Sequence, residues 1–401
     1  MPRPPEMIPF HRPHITGPDI DGVRTVLKSG WLTTGKVAEE FEGAFAQAVG
    51  GGVSAIAVSS CTAALHLALE LLSLPPGAEV IVPTMTFTAT AEAVLRAGLT
   101  PVIADIDPLT LMLTPETAGP KCRAKTAALL PVHYGGNPTG FLTLLEFARA
   151  HKFRVVDDAA HAFPAHVTPP GGPPRPIGSQ GLSDATAFSF YATKTITTAE
   201  GGMLTFSKNA ALEARARRLT LHGIDADAFQ RSRQAVYHYE VTERGYKYNL
   251  PDLLAALGRS QTAKAELLRN LRATTARAYL ESLRPLAARE WLTLPTIPID
   301  AEPAWHLFPI RLNIERFGAR WDRDAIGAAL KQRGIGTSMH YRPLHRHTYW
   351  SKELGLGTEK FPVADAAYAE LLSLPIWPGM QAKHIQRVEA ALYDVLLEAG
   401  R

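Results

Sequence analysis

The chain has 401 residues, 46% hydrophobic and 20% charged, with 42 basic against 38 acidic side chains and a formal net charge of +4. This composition excludes disordered, fibrous and collagen-like chains, and the length supports two or three domains around a large core. So small a charge excess over so long a chain leaves no nucleic-acid footprint.

Two cysteines, Cys61 and Cys122, exclude a disulfide framework and a multi-cysteine zinc site, and fit a reducing cytoplasm. The opening MPRPPEMIPF lacks the apolar core of a signal peptide, and the most apolar helical run, 63–72, is interrupted by His66 and Glu70. Nothing approaches the roughly 20 apolar residues of a membrane span, so a cytoplasmic protein without membrane or nucleic-acid partners is expected.

The elements follow in chain order. Pro18 and Gly30 bracket a predicted helix over 18–29, with the start and stop signals in the expected order. Val37, Phe41, Phe45 and Val49 recur every four residues, one apolar stripe ending at Gly50. An apolar run at 53–59 leads directly into an Ala/Leu-rich helix at 62–74. A strand at 79–83 precedes a helix at 89–97, and 101–105 and 126–132 are again short and apolar. A helix at 141–152 precedes a strand at 153–157. Such alternation predicts an α/β fold with a mostly parallel sheet covered on both faces.

Residues 166–181, rich in Pro and Gly, predict a loop. Strands at 188–190 and 202–206 then flank a special segment. The helix over 208–221 carries Arg215, Arg217 and Arg218, read as a solvated face. A largely helical stretch, 251–283, stops before Pro285 and leads out of the first domain. Beyond it come a strand-like run at 305–313, a helix at 322–333 with Asp322 as N-cap, and a final helix lined by Ile385, Val388, Leu392 and Val395. The expected division is a large α/β domain over 1–260, including the N-terminal segment, and a small α+β domain over 261–401. There are no internal repeats.

Three segments carry chemistry. Residues 59–64 (SSCTAA) lie where a strand passes into a helix. Small residues there let backbone N–H groups and hydroxyls approach an anion, although a plain tight turn has the same composition. Asp157 and Asp158 end a predicted parallel strand, at the sheet edge where open α/β folds bind ligands. Adjacent strand residues face opposite ways, so the two carboxylates divide between a ligand role and a structural one, unless both simply cap a loop. Lys194, in SFYATK followed by EGG, stands between two strands where burial lowers an amine's pKa and makes it a nucleophile; a lysine taken at random is a surface residue. Together with the aromatic Phe87, these are the parts that hold pyridoxal 5′-phosphate: anion donors, a stacking face, a carboxylate for the pyridine nitrogen and a lysine for the aldehyde.

Further motifs extend the pattern: SGWLTTG (29–35), SSCTAALHLAL (59–69), VPTMTFTATAEAV (82–94), VVDDAAHA (155–162), FSFYATKTITTAEGGM (188–203), GYKYNLPDLLAALG (245–258), RGIGTSMHYRPLH (333–345) and LSLPIWPGM (372–380). Across 8–398 the chain resembles the DegT/DnrJ/StrS sugar aminotransferases, pyridoxal-phosphate enzymes of fold type I. The resemblance implies an internal aldimine on Lys194 and a pairing of Asp158 with the pyridine nitrogen. It implies His161 near the ring hydroxyl, Phe87 on the ring face, and Thr62, Ala63 and Ser189 at the phosphate. Asn249 would reach the phosphate from a neighbouring subunit, so a homodimer with shared active sites is implied.

Trp31, Thr33, Tyr191, Tyr341 and Arg342 are the implied substrate-side residues, with Arg342 toward a diphosphate; a core role for Trp31 is the alternative. His340, His345 and His347 cluster without Cys or paired carboxylates, so no metal is expected. Cys61 stands where the family usually has Gly, as does Ala199, while Tyr191 replaces a His and Asp157 a Glu. The implied reaction moves an amino group from L-glutamate, leaving 2-oxoglutarate, to a keto-sugar nucleotide. The stretch 221–231 (LHGIDADAFQR) points to C4 of a 4-keto sugar. C3 keto sugars, cyclitol ketones, dehydration and a non-catalytic regulator are the alternatives; Lys194, where the dehydratase branch carries His, favours transamination.

Overall fold

Seven short apolar runs build the central sheet of the computed structural model, which describes residues 6–225, 238–356 and 360–400. They are β1 (Val53–Val58), β2 (Glu79–Pro83), β3 (Thr100–Ala104), β4 (Thr126–Leu129), β5 (Arg154–Asp158), β6 (Ala185–Ser189) and β7 (Gly202–Ser207). Their order is β1-β7-β6-β5-β4-β2-β3. Neighbours pair in parallel except β7, which runs against both β1 and β6. The near-continuous apolar character of these strands follows from burial on both faces. One sheet edge therefore gathers the C-terminal ends of β1, β5 and β6 and the start of β7, and the site lies there.

The helices around the sheet are α1 (Gly17–Ser29), α2 (Lys36–Ala48), α3 (Cys61–Leu72), α4 (Ala89–Arg96), α5 (Phe141–Ala150), α6 (Ala210–Thr220) and α7 (Asp252–Thr262), while α8 (Ala265–Ser282) starts in its core with Ala265 and Leu268 and runs into a second one with Ala273, Ala276 and Tyr279. The four-residue stripe of α2 packs Phe41 and Phe45 against Phe188 and Phe190, with ring centroids 5.0–5.4 Å apart. Each such fully buried side chain contributes about 1.5–3 kcal/mol. The N-cap of α2 is Gly35, which has no side chain to offer. Asp252, from the start of α7, replaces it by accepting from the backbone N–H groups of Gly35 (2.7 Å), Ala38 (2.9 Å) and Val37 (3.2 Å).

A second, antiparallel sheet is ordered β8 (Leu292–Thr293), β9 (Phe308–Leu312), β10 (Leu371–Leu374) and packs with α9 (Arg323–Gln332) and α10 (Ala382–Ala399). Asp322 caps α9, accepting from Ala325 N at 2.8 Å. The two halves interlock. Ile8 bridges to Ile335 and joins the small core, whereas Leu344, Trp350 and Phe361 pack back into the core of the large sheet.

The loop expected at 166–181 carries two short paired strands, His166–Val167 and Arg175–Pro176, joined by Ala301–Glu302. The helical stretch at 251–283 is two helices, and a further turn, Arg284–Ala288, takes Pro285 into its first turn, where a missing N–H costs nothing. Of the motif at 221–231, residues 226–231 lie outside the described residues.

Candidate active site

Three chain reversals at the sheet edge make one cavity of about 520 Å³. The first is the turn from β1 into α3. Ser60, in extended conformation, caps α3 by accepting from Ala63 N at 3.1 Å. Ala63 is thereby committed and buried, while Cys61 and Thr62 line the cavity with first-turn N–H groups that have no helical acceptor. A Cβ on Gly202 would stand 2.6 Å from Cys61 N and Ser60 C, so only glycine lets β7 begin against this turn.

The second is the end of β5. Asp157 and Asp158 do face opposite ways. Asp157 points into the core, its Oδ1 2.8 Å from His133 Nε2, both side chains buried. Asp158 lines the cavity: Oδ2 accepts from Thr90 Oγ1 (2.8 Å), Oδ1 from Ala160 N (3.1 Å), and the Cys61 thiol lies 4.0 Å from Oδ1. Burial raises the Asp158 carboxyl pKa, opposed by these hydrogen bonds and by Lys194.

The third is the loop between β6 and β7. Phe190 N donates to Gly201 O (2.9 Å) and Thr198 N to Phe190 O (3.0 Å). Thr197 Oγ1 donates to Phe190 O (3.0 Å) and Thr198 Oγ1 to Glu200 O (2.7 Å), so threonines pin the loop that presents Lys194. Burial lowers the Lys194 amine to about 8, against the opposing pull of Cys61 and Asp158. Within this loop Ala199 sits at φ 69°, in the left-handed region, while Cys61 is an ordinary first helical residue.

Lys194, Asp158, Thr62, His161, Ser189 and Phe87 thus share one cavity, with Tyr191 and Tyr341 also in its wall. Phe87 is 59% exposed, a free aromatic face in a concave site. Tyr341 OH lies 2.7 Å from His161 Nε2, and burial pushes the tyrosine hydroxyl up and the imidazole well down, so both stay neutral.

Other expected residues lie elsewhere. Asn249 Nδ2 donates to Thr34 Oγ1 (2.7 Å), Trp31 Nε1 to Thr34 O (3.3 Å), and Thr33 O accepts from Asp252 N (3.2 Å), so these three form a separate cluster beside α7. Trp31 is half-buried and Thr33 exposed, which removes Trp31 from the core. Arg342 turns onto its own loop, donating to Arg346 O (2.7 Å). His345 is engaged by Thr84 and Asp365. Among the described residues, no group of three or more His, Cys, Asp or Glu could hold a metal, and no helix is long and apolar enough to cross a membrane.

Two wall residues, Phe10 and His306, and the fully buried Thr90 behind Asp158 carry no role in the sequence reading. Phe10 arrives from the N-terminal segment, Thr90 from a helix 68 positions before its partner Asp158, and His306 from the approach to β9. Thr90 lies within the 82–94 motif, but nothing local assigns any of the three its place at the site.

The donor set fits pyridoxal 5′-phosphate. A lysine amine lowered to about 8, a buried carboxylate, helix N-terminal donors with Thr62 and Ser189 hydroxyls, an open Phe87 face and a buried His161 Nδ1 without a partner converge on one cavity.

Residues 13–393 match the DegT/DnrJ/EryC1/StrS aminotransferase family. The spore coat polysaccharide biosynthesis protein SpsC of Bacillus subtilis strain 168 is 38% identical, over 97% of each chain. The PMP form of Spr1654 from Streptococcus pneumoniae superposes with a TM-score of 0.87 at 28% identity, over 98% of this chain and 99% of that one. DesV of S. venezuelae, in complex with a ketimine intermediate, does so with a TM-score of 0.81 at 30% identity, over 94% of each.

Proposed function

The chain belongs to the DegT/DnrJ/EryC1/StrS aminotransferase family, and from that premise we propose that it moves an amino group from L-glutamate to the C4 keto group of a nucleotide-linked sugar. The observation that carries this reading is the meeting of Lys194 and Asp158 in one cavity with an anion-binding helix start. The printed role of SpsC in polysaccharide biosynthesis supports a sugar acceptor. The LHGIDADAFQR stretch (221–231), followed by GYKYNL, resembles the C4 branch and supports that position.

Bound pyridoxal 5′-phosphate supplies an aldehyde for an amine and a protonated ring that takes up electrons. Cys61 and Thr62 N–H groups, with the Thr62 and Ser189 hydroxyls, would hold its phosphate. Phe87 would cover one ring face, and Asp158 would keep a proton on the ring nitrogen. His161 would stand at the ring hydroxyl. An amine near 8 leaves Lys194 Nζ partly neutral at physiological pH, able to take a proton from the donor Cα and return it. Tyr191 and Tyr341 border the space left for the sugar. Trp31, Thr33 and Asn249, gathered outside this cavity, are proposed to complete that of a partner in a homodimer.

The test is the absorbance spectrum of the purified protein with and without L-glutamate, then with keto-sugar nucleotides differing in keto position. A cofactor band that glutamate bleaches and a 4-keto sugar restores is expected, with neither change in Lys194→Ala. Restoration only by a 3-keto sugar or a cyclitol ketone overturns the C4 assignment, and a band unmoved by glutamate overturns the donor.

A further inference from the structure

Arg272, on α8, is fully buried. Its Nη1 donates to the carbonyls of Ile376 (3.0 Å), Trp305 (3.3 Å) and His306 (3.4 Å), while Nε and Nη2 have no partner. Among the described residues no carboxylate lies within ion-pair distance of it, and a buried charge without one is costly. The residue it holds is strained as well: Trp305 sits at φ 49°, a conformation that bulky L-residues rarely adopt. Two unfavourable features thus converge on the two residues that lead into β9.

Their result is the placement of His306. Its ring lies 4.4 Å from that of His161, tilted by 42°, inside the cavity wall. Tyr341 holds the edge of His161, its hydroxyl 2.7 Å from Nε2 with the two ring planes inclined by 22°. With Nε2 engaged, Nδ1 is the atom left for a bound molecule, and it is buried without a partner.

We infer that His306, clamped by Arg272, is a positioning residue that fixes the ring of His161 so that it presents a neutral Nδ1 to the cofactor site. The inference rests on the reading that this cavity holds pyridoxal 5′-phosphate. His306 acts as a flat wall, by shape, and does not exchange a proton. The charged and titratable groups facing the pair are Lys194, His340 and His133 around His161, and Lys194, His340 and Arg272 around His306. Burial first, and then the positive charge of Lys194 and, for His306, of Arg272, oppose protonation of either ring. Without the wall, His161 can turn, reach water and take up a proton.

The test compares His306→Phe, which keeps a flat ring, with His306→Leu, which keeps volume without one; His306→Gln replaces the latter if it does not fold. In cofactor-free, ¹⁵N-histidine-labelled protein, long-range ¹H–¹⁵N spectra follow His161 over about pH 5.5–8. The wild type and the Phe variant should show one neutral tautomer throughout, and the Leu variant a protonation within the range. In the loaded enzyme the Leu variant should move the pH midpoint of the cofactor band by about half a unit or more and lower kcat about tenfold, with the KM for the keto sugar within about twofold. A folded Leu or Gln variant with a wild-type His161 spectrum overturns the inference, as does a Phe variant as impaired as the Leu variant. A wild type that binds no pyridoxal 5′-phosphate overturns the cofactor reading instead, and the spectra of the cofactor-free protein separate the two failures.

Discussion

Raising the pH through 8 should switch the Lys194 amine from cation to nucleophile in a range where an ordinary lysine stays charged. Burial disfavours the ammonium, and Cys61 and Asp158 only partly restore it, which leaves the group at about 8 instead of 10.5. At pH 7 about one amine in eleven is then neutral, against about one in three thousand for a lysine at 10.5, a gain of roughly 300-fold. Competitive acetylation of the cofactor-free protein, read peptide by peptide by mass spectrometry, measures this directly. The Lys194 peptide should label with a midpoint near 8 and the remaining lysines nearer 10. Asp158→Asn removes a negative charge that favours the ammonium, so the midpoint should fall further. A Lys194 midpoint near 10, or a rise in Asp158→Asn, would refute the reasoning that burial, tempered by its carboxylate neighbour, sets this amine.

The same Asp158→Asn substitution keeps an acceptor for Thr90 and loses the charge, so it should fold normally and lower kcat by about 10²-fold or more; an unimpaired rate rejects its proposed place at the ring nitrogen. Asp252→Ala strands the three N–H donors at the start of α2 and should cost about 2–4 kcal/mol in denaturant unfolding. A loss below about 1 kcal/mol would show that water satisfies them. At Ala199, held at φ 69°, substitution by Val should destabilise by about 1–2 kcal/mol and substitution by Gly should be neutral or mildly stabilising. Equal effects of the two would refute a left-handed backbone there.

How much of this was legible in the sequence depended on the range over which each residue acts. The division of labour between Asp157 and Asp158 follows from the period of a strand, and the structure keeps it: one carboxylate meets His133 in the core, the other faces the cavity. The anion turn at 60–62 and the lysine between two strands are equally local. Thr90, Arg272 and His306 were not legible, because each gains its role from a partner far along the chain: Asp158, the carbonyls of 305, 306 and 376, and His161. Asn249, Trp31 and Thr33 were legible as motif members, but not as one cluster beside α7. The two positions where a family glycine is replaced separate these cases most clearly. By type alone Cys61 and Ala199 raise the same concern, since either departs from glycine at a turn. Only the backbone distinguishes them: Cys61 opens a right-handed helix at no cost, and Ala199 takes the left-handed conformation. That strain sits in the loop that presents Lys194, held by the hydrogen bonds of Thr197 and Thr198. A loop pinned this firmly can carry one unfavourable residue, and the threonines that pin it look in the sequence like any polar run.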